Sequence, residues 1–223
     1  MAYDDTLARV ETYFDQTATK TWEKLTSDAP VSRIRQTVRE GRDQMRDLLL
    51  SRLPNDLRGA RILDAGCGVG GLSQILAEKG AHVVAADISP SLIDIAKKRI
   101  PQALHDQISF RACDLNDPAL GQFDYVVAMD SLIYYRPADL CHVLQTLSAR
   151  VHQSVVFTVA PRTPLLMAMW YAGKLMPKSD RSPVMHPHAP RALGRALGES
   201  ITLLDHGRVL KGFYISQALE VRR

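Results

Sequence analysis

The sequence predicts an α/β fold: a mostly parallel, seven-stranded sheet with helices on both faces and one antiparallel edge strand. Three observations carry this reading. Between about residues 60 and 160, short apolar runs rich in β-branched residues alternate with stretches of helical periodicity, the pattern of consecutive βα units. The glycine-rich stretch "LDAGCGVGG" at residues 63–71 follows the first of these runs directly, where an open α/β sheet turns from strand to helix. The chain then ends on two neighbouring strand-like runs, as a sheet with one antiparallel edge requires.

Residues 1–58 have helix-like spacing and no convincing strand, and are expected to form a helical cap or lid. In "VSRIRQTVREGRDQMRDLLLSRL", Val31, Ile34, Val38, Met45, Leu48, Leu49 and Leu53 fall largely on one stripe. Arg33, Arg35, Arg39 and Arg42 occupy other faces. "ARILDA" then reads as a short buried strand, and "GLSQILAEKGA" as a helix that closes on Gly80. "HVVAADIS" is the second strand, and Pro90 opens the helix "PSLIDIAKKRI". "ISFRACDL" and "FDYVVAMD" supply the third and fourth strands, "RPADLCHVLQTLSARV" a helix, and "SVVFTVAP" the fifth strand. The rhythm breaks in an insertion at about residues 161–190, where "TPLLMAMWYAGKLM" reads as an apolar helix and "PKSDRSPVMHPHAP" as a loop. The helix "RALGRALG" and the strands "ITLLDHG" and "GFYISQALEV" complete a domain spanning 59–223.

Composition narrows the function classes. Over 223 residues, 46% hydrophobic and 23% charged is ordinary for a soluble globular domain. A formal charge of +4 is too mild to argue for nucleic acid, which is not expected as a partner. Cys67, Cys113 and Cys141 are widely spaced and form no CxxC pair, so neither a disulfide framework nor a protein-bound metal is expected. "MAYDDTLARVETYFDQ" is acidic and unlike a targeting peptide, and no apolar run approaches the roughly 20 residues of a membrane span. A reduced, cytoplasmic protein is the expectation.

The glycine spacing leaves the ligand open. Gly66, Gly68 and Gly70 alternate, yet Gly71 also completes the GxGxxG of dinucleotide sites. No Lys-Ser or Lys-Thr follows, which excludes the usual ATP cradle. Asp64, two residues before the first glycine, decides more. A carboxylate there repels a pyrophosphate and favours a ligand with a cationic group. Asp87 ends the second strand about 20 residues on, where an acid accepts hydrogen bonds from a ribose. A ligand with a ribose and a positive charge fits S-adenosylmethionine.

Through "ILDAGCGVG", "VVAADIS", "ACDL" and "FDYVVAMDSLIYY", residues 58–160 resemble the class I S-adenosylmethionine-dependent methyltransferases, which have a Rossmann-like fold. The resemblance implies that Asp64, Gly66, Cys67 and Gly68 line the methionine end of the cofactor. It further implies that Asp87 binds the ribose with Ile88 beside the adenine, that Asp114 and Leu115 take the adenine edge, and that Met129 flanks the sulfonium. Asp114 also suits a turn or helix cap, and Cys67 reads as a small passive side chain in the loop.

Further stretches reach both ends of the chain: "YFDQTATKTWEKL", "VSRIRQTVREGR", "FTVAPRTPLL", "RSPVMHP" and "GFYISQALEVRR". With these the whole chain resembles the magnesium-protoporphyrin IX O-methyltransferase family of bacteriochlorophyll synthesis. That implies methyl transfer from S-adenosylmethionine to a propionate carboxyl of magnesium protoporphyrin IX. It also implies Tyr13 and Arg35 beside the cofactor, and Tyr134 and Tyr135 as catalytic groups close to the transferred methyl. Arg33, Arg35 and Arg39 are candidates to orient a propionate by bidentate pairing. Trp170 lies in the soft apolar insertion with Met167, Met169, Tyr171 and Met176, which suits a flat hydrophobic acceptor. His186 is a further substrate candidate, although the flanking prolines favour loop ordering for both His186 and His188.

Where other members tend to carry histidine this chain has Tyr134, and where they tend to carry tyrosine it has Thr26, which argues against a shared general base. The family resemblance also implies contact with the porphyrin-binding subunit of magnesium chelatase, and peripheral membrane association through the basic N-terminal helix. Two other readings stay open on the residues alone: a quinone or phenol O-methyltransferase, and a non-catalytic porphyrin carrier on the same fold.

Overall fold

The computed structural model describes residues 2–13, 15, 33–164, 166, 167 and 185–223. The apolar runs form β1 (Arg61–Ala65), β2 (His82–Asp87), β3 (Ile108–Ala112), β4 (Phe123–Ala128) and β5 (Val151–Val159), all pairing in parallel. The closing runs form β6 (Thr202–Lys211) and β7 (Tyr214–Arg222). Across the seven-stranded sheet the order is β3-β2-β1-β4-β5-β7-β6.

The antiparallel strand is β7, which pairs antiparallel with both β5 and β6. It lies just inside the edge, and β6 is outermost. Burial explains this order: β7 is buried along most of its length, whereas β6 alternates between exposed and half-buried residues, as a strand covered on one side does.

The helices are α1 (Ala2–Tyr13), α2 (Arg33–Leu50), α3 (Gly71–Glu78), α4 (Pro90–Arg99), α5 (Pro137–Ser148) and α6 (Pro190–Leu197). Proline opens α4, α5 and α6, where its missing N–H has no intrahelical partner to lose. Strand alternation divides the core into two layers. Leu63, Val84, Val126 and Val155 face Leu140 and Leu144 of α5, while Ile62, Val83, Val127 and Val156 face Leu76 of α3 with Met45 and Leu49 of α2. Truncating one of these fully buried leucines to alanine is expected to cost about 2–5 kcal/mol.

α2 therefore does two things. Its second half is part of the sheet's own core, and its first half lies across the β6–β7 hairpin. Gly41 makes that crossing close: a Cβ there would stand 2.7 Å from the Tyr214 ring. A helix-interior glycine sacrifices about 1 kcal/mol of helix propensity, and here it lets an aromatic ring lie directly on the helix.

Residues 16–32 and 168–184 lie outside the described residues, and with them Trp22, Thr26, Val31, Met169, Trp170, Tyr171 and Met176. Among the described residues, no helix is long and apolar enough to cross a membrane.

Candidate active site

From β1 the chain runs to β2 and β3 on one side and returns to β4 and β5 on the other. The crevice between β1 and β4, at their C-terminal ends, is the switch point where open α/β sheets bind ligands. A cavity of about 390 Å³ opens there, within the range of about 300–1,000 Å³ for small-molecule sites.

The glycine loop forms one wall. After β1, the main-chain N–H groups of Gly66 and Cys67 both donate to the Ala86 carbonyl, at 2.8 and 3.0 Å. Gly66 has φ 81°, and a Cβ on it would stand 2.2 Å from that of Ser131. Only glycine lets the loop and the segment after β4 approach this closely. The contact is fastened by Ser131 Oγ, which donates to the Ala65 carbonyl at 2.6 Å.

Two buried carboxylates back the loop. Asp87 accepts from the Gly68 N–H through Oδ2 and from the Ser89 N–H through Oδ1, both at 2.9 Å. It thereby ties the glycine loop to the end of β2. Ser89 in turn caps α4, accepting from Leu92 N–H at 3.2 Å, and its hydroxyl donates to Asp15. Asp64 accepts from Ser73 Oγ at 2.6 Å.

Burial pushes the Asp64 carboxyl up to about 7, against the Ser73 hydrogen bond and with the Asp87 charge adding. Burial likewise lifts Asp87 to about 6, although the Ser89 and Gly68 amides pull it down. Two carboxylates out of water, with little positive charge to match them, favour a cationic ligand. Cys67 lies between them, and burial raises its thiol pKa well above the ordinary value, so it is an inert wall residue rather than a nucleophile.

The opposite wall comes from the segment after β4 and from α2. Asp130 has φ 57°, the single positive φ on a non-glycine residue among those described. Four side chains from three elements converge on it. Its N–H donates to Thr158 Oγ1 at 2.7 Å, and that hydroxyl donates back to Oδ1 at 3.2 Å. Tyr214 OH donates to Oδ1 at 2.9 Å, Ser216 Oγ to Oδ1 at 3.4 Å, and Arg42 Nη1 meets Oδ2 at 2.5 Å. Arg39, Arg42 and Arg46, one face of α2 by spacing, all line the cavity. Arg46 Nε is buried without a hydrogen-bond partner, and Asp47 Oδ1 stands 3.7 Å from it.

Tyr134 and Tyr135 line the cavity beside this network. Burial, and then the Asp130 charge, raise the Tyr134 phenol, which stays protonated and acts as a donor rather than a base. Behind Tyr135, the buried His188 hydrogen-bonds the Tyr135 carbonyl through Nε2 at 3.1 Å. Burial lowers its pKa to about 4, so the ring is neutral, and the bond to a carbonyl makes Nε2 the protonated nitrogen. The main chain of His188 donates to Ala160 at 2.8 Å, and that of His186 to Ile133 at 2.8 Å. Through its main chain and ring this segment ties the end of β5 to the residues after β4.

Among the residues the sequence singles out, Asp64, Gly66, Cys67 and Gly68 line the cavity from the loop after β1, and Asp87 and Ile88 from the end of β2. Leu115, Met129 and Arg39 complete that set. Asp114 stands next to Leu115 and off the cavity wall, its Oδ1 accepting from the Asn116 N–H at 3.0 Å in a turn. Tyr13 packs on Val69 and Leu92, which line the cavity, so it supports the wall from behind. Arg33 and Arg35 are exposed on the first turn of α2, and His186 is half-buried away from the wall. Sequence reasoning missed Asp130, Ser131, Arg42 and Arg46 as cavity residues, and Tyr214 as a partner of Asp130. An acid just past the end of β4, inside the quoted "FDYVVAMD", was the available signal for the first of these.

The strand order and the acidic glycine-loop site define a class I S-adenosylmethionine-dependent methyltransferase. A family profile described as "Methyltransferase domain" matches residues 62–153, and one described as "Magnesium-protoporphyrin IX methyltransferase C-terminus" matches residues 128–223. The chain is 59% identical to the magnesium-protoporphyrin O-methyltransferase of Rhodobacter capsulatus, over 99% of this chain and 98% of that one. It is 29% identical to the chloroplastic magnesium protoporphyrin IX methyltransferase of Arabidopsis thaliana, over 95% of this chain and 69% of that one. The crystal structure of magnesium protoporphyrin IX methyltransferase from Synechocystis PCC 6803 with bound SAH has a TM-score of 0.84 to this chain at 28% identity, covering 97% of this chain and 99% of that one. The chain belongs to the magnesium-protoporphyrin O-methyltransferase family.

Proposed function

We propose that the protein transfers a methyl group from S-adenosylmethionine to one propionate carboxyl of magnesium protoporphyrin IX, forming the monomethyl ester. The carrying observation is the cavity in a chain of this family: one wall of buried carboxylates, Asp64 and Asp87, faces arginines of α2. When bound, S-adenosylmethionine supplies an electrophilic methyl on a cationic sulfur.

Asp64, Gly66, Cys67 and Gly68 hold the amino-acid end, with Arg46 near enough to pair a carboxylate. Asp87 takes the ribose, Ile88, Asp114 and Leu115 the adenine, and Met129 flanks the sulfur. Tyr13 and Arg35 close the cofactor side.

A propionate is already ionised near neutral pH, so no base is required. The carboxylate oxygen forms the new bond to carbon, the carbon–sulfur bond breaks with its electrons on sulfur, and no proton moves. Tyr134, kept protonated by burial, donates to the carboxylate and aims it, while Tyr135 walls off water. Opposite charges cancel in this transition state, so a dry site favours it.

The helical cap over residues 1–58 and the insertion at 161–190, with Trp170, Arg33 and His186, would cover the acceptor. Incubation of the purified protein with magnesium protoporphyrin and labelled S-adenosylmethionine is expected to yield a labelled, more apolar porphyrin by chromatography. An unlabelled porphyrin from protein that binds SAH would refute the reading.

Two partners follow from the same reading. The basic helix α2 suits peripheral contact with an anionic membrane surface, and a contact with the chelatase subunit that delivers the pigment fits an apolar substrate. Cosedimentation with anionic vesicles should be salt-sensitive; no binding at low salt removes the membrane contact.

A further inference from the structure

The network around Asp130 is more elaborate than holding a helix requires. Its backbone occupies the left-handed region, where an aspartate is tolerated at some strain. Thr158 and Ser216 hold Oδ1, the Tyr214 hydroxyl stands 2.9 and 3.1 Å from the two oxygens, and the carboxylate so held meets the Arg42 guanidinium through Oδ2. The Arg42 and Asp130 side chains are 19% and 7% exposed, and both lie on the cavity wall. Gly41, the residue before Arg42, exists in that helix to let the Tyr214 ring pass. Through Asp130, β5, β7 and the segment after β4 thus hold one arginine head in a fixed place near Tyr134.

We propose that Arg42, aimed by Asp130 as a positioning residue, receives a carboxylate of the acceptor and makes the enzyme select an acid acceptor. This rests on the methyl-transfer reading above. The physics favours it. An arginine paired with a locked aspartate adds no net charge next to a cationic donor, and a guanidinium carries five N–H donors, more than one carboxylate takes up, in a planar geometry that matches a second carboxylate. Because Asp130 cannot swing, the fork is already oriented when the acceptor arrives, and little entropy is lost on binding.

The test compares binding of a porphyrin diacid and its dimethyl ester by fluorescence in wild type, Arg42→Gln and Arg42→Lys, with SAH affinity by calorimetry as the folding control. Wild type is expected to prefer the diacid by about ten- to a hundredfold, the range for a hydrogen-bonded charge. Arg42→Gln should reduce that preference to about twofold or less, Arg42→Lys should recover part of it, and SAH affinity should stay within about threefold. With magnesium protoporphyrin as substrate, the loss should fall on KM more than on kcat in both Arg42 variants, and Asp130→Asn should show a smaller loss of the same kind.

An unchanged preference in Arg42→Gln overturns the assignment. So does weakened SAH binding with the preference intact, which would move Arg42 to the donor end. Should Arg42→Gln fail to bind SAH at all, the Arg42→Lys preference decides: a value equal to wild type overturns the proposal. Failure of the wild type to form ester at all overturns the methyl-transfer reading and this inference with it, whereas normal esterification with unchanged discrimination overturns this inference alone.

Discussion

Asp64 and Asp130 stand at the ends of neighbouring strands, β1 and β4, on facing walls of one cavity, and the fold treats them in opposite ways. Asp64 is buried with a hydroxyl as its partner, and Asp87, close by, relies on two backbone amides. Both are pushed up toward neutrality, to about 7 and about 6. Asp130 instead receives a guanidinium and three hydroxyls. Carboxylates that the protein leaves under-compensated are suited to a cation from outside. A carboxylate saturated by the protein's own donors positions something else. The same side chain is therefore left under-compensated on one wall of the cavity and organises protein on the other.

Replacing each acid separates the two roles, and the largest effect belongs to the saturated one. Asp130→Ala removes the partner of a largely buried arginine and leaves three hydroxyls without their acceptor. It is expected to lower stability by about 3–5 kcal/mol, read from the denaturation midpoint; a loss under about 1 kcal/mol would show that the network is incidental.

Asp64→Asn should do the reverse. The asparagine still accepts from Ser73, so stability is kept, but affinity for S-adenosylmethionine should fall by about ten- to a hundredfold. Calorimetry that finds the affinity unchanged would break the comparison at its donor end.

Gly41→Ala adds a methyl against Tyr214 Cβ at 2.9 Å and its ring at 2.7 Å. Helix propensity favours alanine by about 1 kcal/mol, yet overpacking is expected to win and leave the protein about 1–2 kcal/mol less stable. A stabilised variant would mean that Tyr214 is free to move, and that the aiming of Arg42 is loose.

Asp64 also carries a pH dependence. Asp64 is raised from an unfolded value near 3.8 to about 7, so the folded state binds its proton more tightly. Its stabilising contribution in the ligand-free protein is complete below about pH 4 and is lost as pH rises through about 7. Relative to Asp64→Asn, whose neutral amide does not titrate, wild type should lose stability as pH rises across that window. His188 changes in the other direction: its pKa falls from 6.5 to about 4, and its contribution, present above 6.5, is lost as pH falls through 4. Subtracting the variant removes the histidine from the comparison. A difference that is flat with pH would show that Asp64 is not desolvated.

The donor wall was legible in the sequence because it is local. Asp64 and the glycines share one strand-to-helix turn, and Asp87 ends the next strand, so spacing alone brings them together. The seven strands were legible too, since each carries its own apolar run. The other wall was legible only in part: the sequence singles out Met129, Tyr134, Tyr135 and Arg39, but not Asp130 and Arg42. Tyr214 reaches Asp130 across 84 positions of sequence, and nothing in the spacing links them. By spacing Arg42 lies off the apolar stripe of its helix without a role, whereas Arg39, a propionate candidate by the same reading, does line the cavity. Asp114 stands next to the wall residue Leu115, where its carboxylate accepts the Asn116 N–H of a turn. The inner place of β7 likewise follows from its burial against β5, which the sequence shows as an apolar run without saying which of the last two strands is outermost.

The central claim is that the donor wall holds its acids near neutrality until a cation arrives. Calorimetric titration of S-adenosylmethionine into the protein at about pH 6.5, in buffers of different ionisation enthalpy, tests it directly. The account requires a net release of protons on binding, reduced in Asp64→Asn. Binding of the same affinity with no proton release in wild type would contradict it.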